Sequence, residues 1–145
     1  MSYMKLLRVN AWHYPTIRGK LRAELRTTVR VHSLRITADI RKSFKQPKSG
    51  RTYYYRGRRI IASAPGESPA IRSGRLYKNV NPIFASSGMQ ARIDPKAQGV
   101  FYAAWLEEGT ARMAKRPYIK PAFARRRQAF LNEVRMKLAK SLGQG

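Results

Sequence analysis

Apolar residues recur at intervals of four along the first third of the chain, and this period constrains the fold more than any other feature. The row is Ile17, Leu21, Leu25 and Val29, and it continues with some drift through Ile36, Ile40 and Phe44. Such spacing places the side chains on one face of an α-helix. Thr16, after Pro15, is suited to cap the start of that helix, and Pro47 and Gly50 mark its end. The pattern predicts one long helix over residues 16–45.

A basic row accompanies the apolar one at the same spacing. It consists of Arg18, Arg22, Arg26 and Arg30. Like charges four residues apart destabilise an isolated helix by about 0.2–0.5 kcal/mol per pair, so packing of the apolar face has to offset this cost. Two interpretations remain open: the row is a solvated helix face, or it contacts DNA or an acidic partner.

The segment after the helix predicts a β-hairpin. In "TYYYRGRRIIASA", two short β-rich runs flank Arg56-Gly57, and glycine suits the second position of a hairpin turn. Arg56, Arg58 and Arg59 would then surround the tip, where we expect them to contact DNA or an acidic partner. Tyr53–Tyr55 either pack on the sheet or stack on nucleic-acid bases.

The rest of the chain completes an α+β pattern. "NPIFA", "MQARI" and "VFYAAW" lie between turn clusters and suggest a meander, although Tyr102, Trp105 and Leu106 fit a short helical turn equally well. Residues 121–142 predict a second helix, with Pro121 at its first position and Gly143 at its end. We therefore expect a single domain over residues 1–145, with a small antiparallel sheet and a hairpin packed by a long N-terminal helix and a C-terminal helix.

Charge restricts the possible partners. The chain has 31 Lys and Arg residues against seven Asp and Glu, a formal net charge of +24. Such a surface attracts polyanions, which can be nucleic acid or acidic neighbouring subunits. Non-specific DNA binding with a dissociation constant of roughly 10⁻⁴–10⁻⁶ M would follow from charge alone and does not identify a function.

The sequence offers little for catalysis. It has no cysteine, and its two histidines, His13 and His32, are far apart. We expect His32 to be a packed residue rather than a ligand. Glu107-Glu108 is the only acidic pair, and adjacent side chains point in different directions, so the pair is poorly placed to share a proton or a metal. We predict no enzymatic activity, no metal and no cofactor.

The sequence also bears on location. No apolar run is long enough to span a membrane, and the N-terminal "MSYMKLLRVNAWHYP" does not resemble a signal peptide. We expect a protein made in the cytoplasm and used there or in an assembly formed there.

Two segments together resemble a known family. The first is "ASAPGESPA" at 62–70 followed by "SGRL" at 73–76, and the second is "YAAWLEEGT" at 102–110 followed by "RPYIKPAF" at 116–123. Their order and spacing resemble those of the head–tail joining, or tail-completion, proteins of long-tailed bacteriophages, which are related to the minor tail protein Z type.

The resemblance implies a structural role in the virion. Members of this family form a ring, most often a hexamer, that docks the tail tube or tail terminator to the head connector or stopper, and genomic DNA passes through its axis. They carry no catalytic residues, bind no membrane and assemble in the host cytoplasm. The alternative, from charge alone, is a basic nucleic-acid-binding module such as a ribosomal-type protein.

The resemblance also suggests interface positions. The expected set is Gly74, Leu76, Tyr102, Trp105, Glu107, Glu108, Thr110, Arg112 and Arg116. In a ring, one face of a subunit meets a different face of the next. The acidic pair would then meet a basic patch such as Arg112, Lys115 or Arg116, and Pro65 and Pro69 would stiffen the chain before Leu76.

Overall fold

The computed structural model describes residues 14–143. Residues 1–13, which include His13 and most of the N-terminal segment "MSYMKLLRVNAWHYP", lie outside the described residues, as do residues 144–145. Helices and strands follow in the order α1 (Tyr14–Lys45), β1 (Thr52–Tyr55), β2 (Arg58–Ile61), α2 (Arg75–Lys78), β3 (Pro82–Phe84), β4 (Ala91–Ile93), α3 (Ala103–Glu108) and α4 (Ile119–Gly143).

The long N-terminal helix is confirmed. α1 has 32 residues and ends at Lys45, shortly before Pro47. Because α1 already includes Tyr14, Thr16 lies within the helix and is not its cap.

α4 runs antiparallel along α1. Arg126, near its start, donates to Asp39 at 2.6 Å, and Lys137, near its end, donates to the Thr28 hydroxyl at 2.6 Å. The helix begins two residues before the predicted position, which places Pro121 third in the first turn, where its missing N–H costs nothing.

The strands form two separate sheets rather than the single sheet we expected. β1 pairs with β2 as predicted, with Tyr55 opposite Arg58. Arg56 (φ 51°) and Gly57 (φ 73°) are both left-handed, which is the geometry of a type I′ hairpin turn. β3 pairs with β4, and within residues 14–143 the two hairpins do not pair with each other. The third run, for which the sequence allowed either a strand or a short helical turn, forms the helix α3.

The core surrounds the C-terminal half of α1. Ile36, Ile40 and Phe44 are buried there, and the Phe44 and Tyr118 rings lie 5.3 Å apart. The other buried apolar residues come from later parts of the chain outside the two hairpins: Leu76, Val80, Val100, Ala103 and Ala122. Earlier members of the predicted apolar row, such as Ile17 and Leu21, are only partly buried. The hydrophobic stabilisation is therefore concentrated at one end of the helix pair.

A polar cluster joins the two long helices beyond this core. The Glu133 carboxylate lies 2.8 Å from His32 Nε2, 3.1 Å from Lys137 Nζ and 3.2 Å from the Thr28 hydroxyl. The Phe130 ring meets the imidazole edge to face at 5.4 Å. His32 is buried, so its interpretation as a packed residue is confirmed.

This cluster makes stability depend on pH. Hydrogen bonds from His32 and then Lys137 lower the pKa of Glu133 to about 2, below its value in an unfolded chain. A carboxyl whose pKa is lowered by folding stabilises the fold above its unfolded pKa, and this contribution is lost as pH falls toward the folded value.

We predict that Glu133→Gln lowers the free energy of unfolding by about 2 kcal/mol at pH 7, the usual scale for removing a hydrogen-bonded charge. The difference from the wild type should shrink as pH falls from about 5 toward 2, because the wild-type carboxyl then becomes neutral as well. Urea unfolding followed by circular dichroism measures both. A difference that stays constant over this range would contradict the assignment.

Candidate subunit interface

Residues 62–70 contain one charged side chain, that of Glu67, and its hydrogen bonds hold the segment in place. The Glu67 carboxylate accepts hydrogen bonds from the Ser49 hydroxyl at 2.6 Å and from the Ala64 backbone N–H at 2.8 Å. These hydrogen bonds stabilise the charged carboxylate and hold the pKa of Glu67 below its ordinary value. The bond from the Ser49 hydroxyl has the largest effect. Lys48 Nζ reaches the Ser68 hydroxyl at 2.7 Å, and Pro69 is buried. The segment is therefore tied at several points to the turn that follows α1.

The two segments that carry the family resemblance lie against each other. Arg116 Nε donates to the Ser63 carbonyl at 3.1 Å, and the Gly66 N–H donates to the Lys115 carbonyl at 3.0 Å. Residues 53 positions apart in sequence are thus in direct contact. Within the second stretch, Gly109 lets the chain pass close to residues 113–115, because a Cβ on it would lie 2.9 Å from both the Lys115 nitrogen and the Met113 carbonyl oxygen.

A groove of about 560 Å³ opens where these segments meet. Gly74, Leu76, Tyr102 and Arg116, four of the nine expected interface residues, line it. Leu76 is buried in the core of its own subunit, so any contribution it makes to a subunit contact is indirect.

α3 has two distinct faces. Ala103, Leu106 and Glu107 point inward, whereas Trp105 and Glu108 point outward. Trp105 is 58% exposed, and Phe101, four residues earlier, is 68% exposed. Phe101 lies in the turn just before α3 and Trp105 on its outward side, so two large aromatic side chains near this helix are exposed to water. Phe101 is absent from the expected interface set, and its exposure is visible only in the structure.

The acidic pair is divided between the interior and the surface. The buried Glu107 carboxylate accepts the backbone N–H groups of Tyr118 at 2.8 Å, Ile119 at 3.0 Å and Lys120 at 2.8 Å. Ile119 and Lys120 begin α4 and Tyr118 directly precedes it, so these N–H groups have no partners within the helix, and a negative charge is favoured at that end. The expectation that Glu107 meets a neighbouring subunit therefore has to be revised, because both its oxygens are used inside the subunit.

The remaining expected interface residues lie at the surface. Glu108 forms an exposed salt bridge with Lys120 at 2.6 Å. Thr110 pairs with Met113 in an isolated β-bridge, and its hydroxyl accepts the Arg112 N–H at 3.3 Å. Arg112 itself is exposed.

The arginines predicted to contact DNA or an acidic partner form two groups on different elements. Arg18, Arg22, Arg26 and Arg30 are exposed on α1, and Arg26 passes over the β3–β4 turn, 3.2 Å from the position a Cβ would take on Gly88. The second group, Arg56, Arg58 and Arg59, is exposed around the tip of the first hairpin.

The tyrosines of that hairpin differ in exposure. Tyr55 is half-buried, with the Arg72 guanidinium 4.6 Å and the Arg56 guanidinium 5.5 Å from the centre of its ring. Tyr53 lines the groove, and Tyr54 is 75% exposed. Tyr53 and Tyr55 therefore pack within the subunit, and only Tyr54 presents an open ring for stacking.

Nearly all of the acidic groups are used internally. Asp39 pairs with Arg126, Asp94 accepts the Ala97 N–H at 3.2 Å, and four of the other five have the partners described above. Among the described Lys and Arg residues, only Lys120, Arg126 and Lys137 form salt bridges. The surface therefore carries a large, mostly unneutralised positive charge.

Comparison of the chain with protein-family models, with curated proteins and with solved structures finds no match. In the part of the chain that the structure describes, no three His, Asp or Glu side chains lie close enough together to hold a metal ion. None of the helices there combines the length and the apolarity needed to cross a bilayer.

We predict unequal effects for substitutions of the two adjacent glutamates. Glu107→Ala should lower the free energy of unfolding by about 2 kcal/mol, because it leaves three N–H groups at the start of α4 without an acceptor. Glu108→Ala is the matched control and should cost no more than about 0.5 kcal/mol, because exposed salt bridges contribute little. Chemical denaturation of both variants measures the difference. Equal destabilisation would show that the Glu107 carboxylate does not hold α4.

Proposed function

We propose that the chain is a structural subunit of the neck of a long-tailed bacteriophage. It would form a ring between the head connector and the tail tube and let DNA pass, acting by assembly rather than by catalysis. The observation that carries the proposal is the contact between the two family-like segments, through Arg116 with Ser63 and Gly66 with Lys115. Two motifs that define one fold should pack together although they lie far apart in the sequence, and these two segments do so.

The outward face of α3 supplies the most suitable subunit contact. Phe101 and Trp105 lie within or next to the second family-like segment and expose their rings to water in the isolated subunit. Exposed aromatic residues of this kind are enriched at the centres of protein interfaces. The groove lined by Tyr102 and Arg116 lies beside the same helix and offers a concave surface.

The charge distribution restricts how such a ring assembles. Glu107 is buried and Glu108 is paired with Lys120, so little free negative charge remains to attract the basic surface of a neighbour. Copies of a +24 chain repel one another over a screening distance of about 8 Å at physiological salt. Assembly should therefore depend on apolar burial and be favoured by salt, by acidic partners or by DNA.

We predict that the purified chain is monomeric at low salt and forms rings as salt rises toward about 0.5 M, because screening removes the repulsion between subunits. Phe101→Ser with Trp105→Ser should abolish the rings. Met136→Ser with Leu142→Ser is the matched control, since it removes two exposed apolar side chains on α4. Native mass spectrometry and negative-stain microscopy measure the oligomer. A wild-type chain that remains monomeric at every salt concentration, with or without DNA, would contradict the proposal.

A basic nucleic-acid-binding module is the second candidate, favoured by the exposed arginine row on α1. In that case a defined set of phosphate contacts should exist, and each one lost should reduce the salt dependence of binding by a fixed amount. Under the neck proposal, affinity for DNA follows from overall charge, and no single arginine is special.

DNA binding by single-arginine variants separates these candidates. If the chain is a binding module, Arg22→Gln should reduce the slope of log affinity against log salt by about 0.9, and Lys96→Gln, an exposed control outside the row, should not. Fluorescence anisotropy with a short DNA duplex measures the slopes. If the two variants give the same slope, the arginine row is not a dedicated DNA site.

A further inference from the structure

A second groove, distinct from the one lined by Tyr102 and Arg116, runs between α1, α4 and the β3–β4 hairpin. It has a volume of about 940 Å³. Val29 and Ile36 of α1 and Phe130 of α4 line it together with Phe84 of the hairpin. It exists because strands of three residues are too short to cover the apolar side of α4 that α1 leaves open.

The lining of this groove is largely apolar, and part of it faces water. Phe84 is 39% exposed and Phe123, seven residues before Phe130 on the same helix face, is 41% exposed. Beneath them, the Phe130 ring packs on His32 at 5.4 Å, so the subunit closes the bottom of the groove itself. Covering these phenylalanines would gain about 25 cal/mol for each Å² of apolar surface removed from water.

The rim of the groove is positively charged. Arg92 on β4 and Arg127 on α4 are exposed and line the groove, and neither forms a salt bridge with the carboxylates of residues 14–143. The nearby acids are already paired with cations, because Asp39 pairs with Arg126 and Glu133 with Lys137. An occupant must therefore satisfy two requirements, an apolar side toward the phenylalanines and negative charge toward the arginines.

We propose that this groove binds an acidic amphipathic helix of a partner protein. A helix meets both requirements when apolar residues at i, i+3, i+4 and i+7 face the groove and Glu or Asp flank them. A second copy of this chain is a poor occupant, because its surface carries the same positive charge as the rim. The inference rests on this groove alone and does not require the ring.

The test uses a fluorescein-labelled model peptide of about four helical turns, with Leu and Phe at i, i+3, i+4 and i+7 and Glu at most other positions. Two control peptides separate the two requirements. One has the same apolar face with Lys in place of Glu, and the other has the same composition in scrambled order. Fluorescence anisotropy at 0.15 M salt should show binding of the first peptide at least about tenfold tighter than either control.

Variants of the protein locate the binding. Phe84→Ser with Phe123→Ser, and separately Arg92→Glu with Arg127→Glu, should each weaken binding about tenfold or more. Lys20→Glu with Lys96→Glu makes the same charge change at exposed positions away from the groove and should weaken it by less than about threefold. Circular dichroism establishes that each variant is folded, and Phe101→Ser with Trp105→Ser should still bind, which separates this inference from the ring.

Three results would overturn the proposal. If the scrambled peptide binds as tightly as the amphipathic one, the binding is general charge attraction. The same conclusion follows if Lys20→Glu with Lys96→Glu weakens binding as much as the groove variants do. A single-stranded DNA oligonucleotide that displaces the peptide, and that loses affinity through Phe84→Ser with Phe123→Ser, would assign the groove to nucleic acid. Self-association that the same phenylalanine variant abolishes would assign it to a second copy of the chain.

Discussion

The Glu107 carboxylate connects α3 to the start of α4, and the placement of α4 depends on it. It projects inward from α3 and receives three backbone N–H groups at the start of α4. A helix that begins inside a protein needs acceptors for these groups, and a single buried carboxylate provides them together with favourable charge. Once α4 starts at this point, its direction along α1 is set. The Asp39–Arg126 pair and the Glu133 cluster can then form further along the two helices.

The small number of acids has a wider consequence. With six of seven carboxylates bound within the subunit, the fold uses its negative charge for internal order and leaves positive charge on the surface. Attraction between copies then has to come from apolar groups such as Trp105, or from an outside anion. Both the proposed ring and the groove between α1, α4 and the β3–β4 hairpin follow this logic, since each presents apolar side chains on a basic background.

Local patterns predicted the elements well, and contacts distant in sequence explain where prediction failed. The period of α1 and the Arg56-Gly57 turn are local signals, and both elements formed as expected. The start of α4 was misplaced because its cap comes from Glu107, twelve residues before Ile119, and no local rule contains that distance. Glu107 and Glu108 look alike in sequence, and only the packing of α3 separates a buried cap from a surface charge. Whether the two hairpins share a sheet likewise depends on the path of the chain between them.

Because the core lies at one end of the helix pair, the two ends of the pair are held by different amounts of buried apolar surface. Around Ile40 and Phe44 the helices are held by close apolar packing, whereas toward Ile17 and Leu21 the side chains are half in water. Backbone amide exchange should therefore quicken toward the N-terminal end of α1, because local opening there disrupts fewer buried contacts. The cluster of Thr28, His32, Glu133 and Lys137 lies between these two parts of the helix pair. On the core side of this cluster buried apolar contacts oppose separation of the two helices, and on the other side few such contacts do.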